Sequence, residues 1–254
     1  MEELSATGLR SQASPRDAAR LLAASTPESA LLYTGLPSSR ECTRLSDAAL
    51  TCAVGLRLGA EVAAPGRCVC GGELDARGDH ALTCNRGAAR GARHSEVNIR
   101  IRCALASAGV AATLEPVGLD LSDGKRPDGA TVLPYSRGRE MAWDATIRHT
   151  CAPSYIPAAS SAARAVAEEA ETQKLRKYES LSDRVDFRAV GLETLGSFGA
   201  GARALLDDIA ARIDARGSAI NSRFRLYRRI AAAVQIGNAA CVLEAHSRGL
   251  KAVS

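Results

Sequence analysis

Three cysteines and one histidine lie within seventeen residues of this chain, from Cys68 to Cys84. One residue separates Cys68 from Cys70, nine separate Cys70 from His80, and His80 and Cys84 are spaced to share one helical face. Thiolates and imidazole are the usual ligands of tetrahedral zinc, and four protein ligands leave no open position. The stretch therefore predicts a closed structural zinc site. The alternative is an exposed cysteine pair beside a buried histidine and a buried cysteine.

The bulk composition is that of a soluble globular protein. The chain has 254 residues, 46% of them apolar and 24% charged, which is enough for one large domain or two small ones. The net charge of +5 is compatible with a nucleic-acid partner but does not demand one.

The cysteines and the absence of long apolar runs indicate an intracellular, reducing compartment and no membrane partner. The acidic start of the chain lacks the apolar core of a signal peptide, and no apolar run approaches the roughly 20 residues of a spanning helix. Four further cysteines have helical, half-apolar surroundings that predict small buried side chains: Cys42, Cys52, Cys103 and Cys241.

Four segments are predicted along the chain: a helical lead-in (1–62), a zinc knuckle (63–90), an α/β unit (91–215) and a C-terminal amphipathic helix (216–254), broken or bent near Gly237. Within the α/β unit we expect strands over 110–117, 130–134, 141–147 and 185–190, and helices over 94–105, 160–182 and 199–212. This order predicts an α+β fold, with a small mixed sheet flanked by helices.

Two acids and a lysine follow the knuckle in an order typical of metal-dependent phosphodiesterases. Asp128 follows a proline at the start of one predicted strand, and Asp144 lies in the next, so a hairpin would bring them side by side. Carboxylates hold Mg²⁺, and a nearby lysine such as Lys174 neutralises developing charge. Lys177 and Tyr178 lie one turn further along the same helix. Taken singly, each of these residues is more often structural.

These motifs together resemble the restriction-like endonuclease region at the carboxyl end of site-specific non-LTR retrotransposon proteins. The resemblance covers residues 46–215 and rests on these pieces: Cys-x-Cys-Gly-Gly-x-Leu-Asp, Gly78 to Cys84, Arg93-His94, Glu115-Pro116, Arg126-Pro127-Asp128, Asp144-Ala145-Thr146, Lys174-x-x-Lys177-Tyr178, Phe187 and Glu193-Thr194-x-Gly196. It implies a nuclease fold of the Pro-Asp-(Asp/Glu)-x-Lys type, preceded by a Cys-Cys-His-Cys knuckle.

The resemblance also implies roles for single residues. Asp128 and Asp144 would bind Mg²⁺ or Mn²⁺, and Lys174 would be the catalytic lysine, displaced from the strand onto the next helix. Lys177 and Tyr178 would support them. Arg93, His94 and Arg126 would contact DNA. For Glu96, a role as a third acidic ligand has no more weight than a purely structural role. Gly129 and Ala145 depart from the bulkier residues common in the family, which predicts weaker strand packing.

Three functions compete on this basis. The first is an Mg²⁺-dependent endodeoxyribonuclease in the nucleus that nicks target DNA, encoded by a polymerase-less fragment or orphan copy, with the parent element's RNA as a further partner. The second is a zinc-containing nucleic-acid-binding module without catalysis, and the third is an inactive retroelement remnant. Four arginines lie close together in the predicted C-terminal helix, at 223, 225, 228 and 229. They indicate either a phosphate-binding cluster or a solvated helix face, with equal weight.

Overall fold

The computed structural model describes residue 8, residues 12–119, residue 124 and the ranges 126–217 and 221–251. The predicted lead-in and C-terminal segments both extend beyond these residues. The helices are α1 (Pro15–Ala24), α2 (Pro27–Ala30), α3 (Asp47–Leu58), α4 (Asp79–Thr83), α5 (Ala88–Ser107), α6 (Ile156–Ala159), α7 (Ala165–Lys177), α8 (Ala200–Ala215) and α9 (Ser222–Lys251). The strands are β1 (Gly66–Arg67), β2 (Glu73–Leu74), β3 (Ala112–Leu114), β4 (Gly129–Thr131), β5 (Met141–Arg148) and β6 (Asp186–Glu193).

Strands β3 to β6 form one mixed sheet in the order β3-β4-β5-β6. The β3–β4 and β4–β5 pairs are antiparallel, whereas β5 and β6 run parallel. A parallel pair needs a crossover connection, and helix α7 supplies it while packing on both strands. The predicted mixed sheet flanked by helices is confirmed.

Different helices cover the two faces of strand β5. Successive strand residues point to opposite faces. Trp143 and Ala145 enter the main apolar core, which α5, α8 and α9 complete, whereas Ala142 lies in a smaller cluster with Tyr178. Asp144 alternates with Trp143 and so shares the face of Ala142, toward helix α7.

The zinc-knuckle segment packs on the helices that precede and follow the α/β unit. Leu56 of α3, Leu74 and Leu82 of the knuckle, and Val242 of α9 belong to one buried apolar cluster. The lead-in, the knuckle and the C-terminal helix thus share a core.

Helix α9 continues through Gly237 without the predicted break. A Cβ atom built on Gly237 would lie 2.4 Å from Cγ of Arg93. The glycine therefore allows α9 and α5 to approach closely, which is a packing role that the sequence pattern does not distinguish from a helix break.

The helix predicted over 160–182 is shorter, running from Ala165 to Lys177. Arg164, the residue before it, has φ +69°, in the left-handed region that helices exclude. Two hydrogen bonds from Arg164 to the buried carboxylate of Glu28, of 2.7 and 3.0 Å, stabilise this turn.

Burial differs among the four cysteines that were expected in the core. Cys52 and Cys241 are buried, Cys42 is half-buried and Cys103 is exposed, because Cys103 lies on the outer face of α5. No helix in the described part of the chain is both long and apolar enough to cross a membrane.

Candidate metal centre and active site

The four predicted zinc ligands converge. The ligand atoms of Cys68, Cys70, His80 and Cys84 all lie within 4.8 Å of one another. Sγ of Cys68 is 3.7 Å from Sγ of Cys84, and Sγ of Cys70 is 3.3 Å from Nε2 of His80. Zinc–sulfur bonds of about 2.3 Å in a tetrahedron place sulfurs about 3.8 Å apart. The cluster can hold a metal ion such as zinc.

A tight hairpin turn presents the first two cysteines. The N–H of Cys68 donates to the carbonyl of Gly72 at 2.8 Å, and Gly71 turns the chain with φ +90°. The N–H of Gly72 donates to Sγ of Cys70 at 3.4 Å, and this bond is the main reason that the pKa of Cys70 falls to about 7. A low thiol pKa favours the thiolate that binds metal. A Cβ on Gly72 would lie only 2.7 Å from the His80 ring.

Asp75 positions the helix that carries the other two ligands. Its carboxylate accepts the backbone N–H groups of Asp79 at 3.0 Å and His80 at 2.7 Å, at the start of α4. These are first-turn donors with no partner inside the helix. Asp75, the aspartate of the Leu-Asp pair in the knuckle motif, therefore orients His80.

Asp79 connects the knuckle to the end of strand β5. Its carboxylate accepts two hydrogen bonds of 2.6 Å from Arg16 and lies 3.0 Å from Nε2 of His149, just after β5. Nδ1 of His149 is 2.8 Å from Oγ1 of Thr194. Burial raises the pKa of the neighbouring Cys151 thiol to about 12. His149 and Cys151 are thus built into the fold.

The β4–β5 hairpin brings the two predicted acids together. Gly129 pairs with Trp143, which places Asp128 and Asp144 opposite each other at the end of the ladder. Oδ2 of Asp128 accepts the N–H of Ala145 at 2.7 Å and lies 3.0 Å from Nε2 of His94. The same nitrogen is 3.1 Å from the carbonyl oxygen of Ala145. The carboxylate of Asp128 and the carbonyl oxygen of Ala145 therefore both lie within hydrogen-bond distance of the same His94 nitrogen.

Helix α7 supplies the partners of Asp144. Nζ of Lys174 lies 2.6 Å from its Oδ1, and the Tyr178 hydroxyl lies 2.6 Å from its Oδ2. Lys177 is more remote, with Nζ 3.9 Å from Oδ2 and 2.7 Å from the Tyr178 hydroxyl. Residues 174 and 178 are one helical turn apart, so both reach the same carboxylate. The structure thus assembles these four predicted residues.

Asp128 and His94 are hydrogen-bonded, and each shifts the pKa of the other. Burial would raise the pKa of Asp128, but the hydrogen bond and charge of His94, with hydrogen bonds from Ala145 and Asn98, outweigh it, so that pKa lies below its ordinary value. The hydrogen bond to Asp128 is the main reason that the pKa of His94 is raised, and the charge of Asp144 adds to the rise. Both aspartates therefore act on one imidazole.

The other predicted site residues lie in different surroundings. Arg93 is 2% exposed and donates to Oδ1 of Asn238 at 2.7 Å, so its guanidinium belongs mainly to the packing of α5 on α9. Arg126 is accessible and pairs with Glu115, while Glu96 pairs with Arg100. DNA contacts by Arg93, His94 and Arg126 stay predictions.

Asn98 belongs to the site although the sequence did not single it out. Its Oδ1 accepts the indole N–H of the buried Trp143 at 2.9 Å, and its hydrogen bond helps to lower the pKa of Asp128. Asn98 lies four residues after His94 on α5, so helical spacing from the Arg93-His94 motif was the available signal.

The C-terminal arginines are engaged within the protein. Arg223 pairs with Asp207 at 2.6 Å, Arg225 and Arg229 both pair with Glu41, and Arg228 donates to backbone carbonyls that include Leu31 at 3.0 Å. These contacts match neither of the two predictions for this cluster, which were a phosphate-binding site and a solvated helix face.

A cleft of about 480 Å³ opens beside the acids, lined in part by His94, Ala145 and Lys174.

No protein-family model, curated protein or solved structure matches this chain.

Proposed function

We propose that the protein is a metal-dependent endonuclease that nicks DNA. The observation that carries the proposal is the convergence of Asp128, Asp144 and Lys174, from three separate elements, at one end of the β4–β5 hairpin. The motifs that resemble the restriction-like endonuclease of non-LTR retrotransposon proteins support it, as does the antiparallel hairpin followed by a helical crossover to a parallel strand.

The oxygen atoms at this point suit a hard divalent cation. Oδ2 of Asp128 lies 3.0 Å and the carbonyl oxygen of Ala145 lies 3.1 Å from Nε2 of His94. The two oxygens therefore face one point, and a cation bound between them would take the place of the His94 nitrogen. Mg²⁺ and Mn²⁺ prefer oxygen ligands, and we assign them to Asp128, Asp144 and the Ala145 carbonyl. An ion held there would polarise the phosphate and lower the pKa of a water molecule.

The remaining residues orient the carboxylates and balance charge. The Lys174 ammonium, 24% exposed at the edge of the cleft, lies where it can stabilise negative charge on a phosphate that approaches Asp144. The Tyr178 hydroxyl fixes the other oxygen of Asp144, and Lys177 donates to that hydroxyl. The Cys₃His cluster has no open position when it holds zinc, which makes its role structural. Target-DNA nicking would place the enzyme in the nucleus.

A supercoiled plasmid incubated with Mg²⁺ or Mn²⁺ tests the proposal. We expect the wild-type protein to produce open circles, and Asp128→Asn or Asp144→Asn to reduce nicking to background while DNA binding persists. Asp183→Asn, an exposed acid beyond α7, is the matched control and should nick normally. Full nicking by both site variants would exclude this site.

The same assay separates the competing functions. A gel shift without any product, over a range of metal concentrations, would favour a nucleic-acid-binding module. A protein that holds no zinc and melts without cooperativity would be an inactive remnant.

A further inference from the structure

The cleft beside the acids continues past the knuckle into a second cavity of about 610 Å³. The two cavities share five lining residues, namely Asn85, Arg90, Thr146, Ile147 and Lys174. Together they form one open groove, which we call the knuckle groove. It extends from His94 at the acidic site, over the end of β5, to Tyr155.

The knuckle groove is positively charged. Arg90, Arg148 and Lys174 line it, and none of the residues that line either cavity in the described part of the chain is acidic. Glu244, which accepts the N–H of Ala89 at the start of α5, is not among the lining residues. The groove therefore suits a polyanion.

Two arginines of the groove have neutral hydrogen-bond acceptors. Arg90 donates to the Thr83 carbonyl at 3.1 Å and to the side-chain amide of Asn85, and Arg148 donates to Oε1 of Gln173 at 2.6 Å. Three arginines of α9 instead pair with carboxylates, as Arg223 does with Asp207. These bonds orient Arg90 and Arg148 without cancelling their charge.

The walls of the groove hold both guanidinium groups in place. The guanidinium carbon of Arg148 lies 5.1 Å from the centre of the Tyr155 ring, within the range of a cation–π contact. Arg90 is anchored at the knuckle's last turn by the Thr83 carbonyl. Side chains that are already ordered lose less conformational entropy when a ligand binds.

We propose that the knuckle groove binds the sugar-phosphate backbone of the DNA strand beside the cut, with Arg90 and Arg148 on its phosphates. This inference rests on the proposed function, because it assumes that the strand entering the acidic site is DNA. Arginine forms bidentate, charge-assisted bonds with phosphate, and such contacts position a strand without reading its sequence.

The salt dependence of DNA binding tests the groove. A labelled DNA duplex is titrated with protein at several salt concentrations, with no Mg²⁺ or Mn²⁺ added, and fluorescence anisotropy gives the affinity. Each phosphate contact contributes about 0.9 to the slope of log affinity against log salt. We expect Arg90→Gln and Arg148→Gln each to lower the slope by about that amount and to weaken binding about tenfold, equally on unrelated sequences.

Arg223→Gln is the matched control, since it removes one exposed arginine outside the groove. It should leave the slope unchanged. Arg148→Lys retains the charge and should restore the slope, and zinc content with a melting curve verifies that each variant folds. Slopes for the two groove variants that equal the slope of Arg223→Gln would overturn the inference.

The groove and the nuclease can fail separately. Normal nicking together with unchanged slopes in Arg90→Gln and Arg148→Gln would refute DNA binding by the groove and leave the proposed nuclease activity intact. Groove-dependent binding by a wild-type protein that never nicks DNA would overturn the nuclease alone.

Discussion

The zinc knuckle and the acidic site differ in how much of the chain each one needs. The four knuckle ligands come from one short stretch, Cys68 to Cys84, and a local hairpin and one helical turn bring them together. The acidic site takes its side chains from α5, the β4–β5 hairpin and α7. A local cluster can be predicted from spacing alone, whereas a dispersed cluster depends on sheet order and on the crossover helix.

Asp79 provides one of the contacts that join the two regions. Asp79, next to the ligand His80, lies 3.0 Å from His149, which follows the strand that carries Asp144. The knuckle therefore supports one wall of the knuckle groove. A substitution of a knuckle ligand should consequently disturb more of the structure than a substitution of Asp128 or Asp144. Three predictions test this contrast, from the largest expected effect to the smallest.

Breaking the knuckle should have the largest effect. Structural zinc sites contribute about 10–16 kcal/mol of apparent binding free energy in small zinc-finger peptides, and that energy stabilises the fold. We expect Cys84→Ser to lose its zinc, about one ion per chain, and to lose the cooperative melting transition. Elemental analysis and a thermal melt measure both quantities.

Cys103→Ser provides the control for this change, because Cys103 is exposed on α5, away from the cluster. It should keep both the zinc and the transition. Normal melting of a zinc-free Cys84→Ser protein would show that the knuckle does not stabilise the core it contacts.

Removing the amine of Lys174 should affect chemistry while the fold persists. Loss of one preorganised charge-stabilising group typically lowers the rate by about 10²–10³. We therefore expect Lys174→Met to nick DNA more slowly by that factor, measured per folded protein, with its zinc and its cooperative melt retained. Arg176→Met, an exposed change on the same helix, should leave the rate unchanged. A wild-type rate in Lys174→Met would remove this lysine from the proposed mechanism.

A methyl group at Gly129 should have the smallest of the three effects. The family resemblance predicts weaker packing where glycine replaces a bulkier residue, but here a Cβ would lie 2.1 Å from Cζ2 of the buried Trp143. The glycine makes room for the indole. We expect Gly129→Ala to lower the free energy of unfolding by about 1–3 kcal/mol in a urea titration.

Gly91 offers a control of opposite sign, since it lies in helix α5 with open space around its Cβ position. Gly91→Ala should raise stability by about 0.5–1 kcal/mol, because alanine loses less backbone entropy in a helix. Equal stability of Gly129→Ala and the wild type would show that the Trp143 indole can shift to accommodate the methyl group without loss of stability.

The sequence alone determined those parts of the protein that depend on near neighbours. Spacing predicted the knuckle ligands, the pairing of Asp128 with Asp144 in a hairpin, and the position of Lys174 on the following helix. Strand β5 was predicted almost to the residue, since 141–147 was expected and Met141–Arg148 is observed. The ends of α7 were less accurate, since the left-handed turn at Arg164 depends on Glu28, which lies far away in the chain.

Only the tertiary structure decided which charges remain available to a ligand. Arg93 became a buried packing residue and Arg225 and Arg229 met Glu41, while Arg90 and Arg148 kept neutral acceptors and line a groove. Arg90 has acceptors five and seven residues away, but each of the other outcomes depends on a partner from a distant segment. Charge neutralisation and burial act between segments that the fold brings together, and local sequence periodicity contains no information about those pairings.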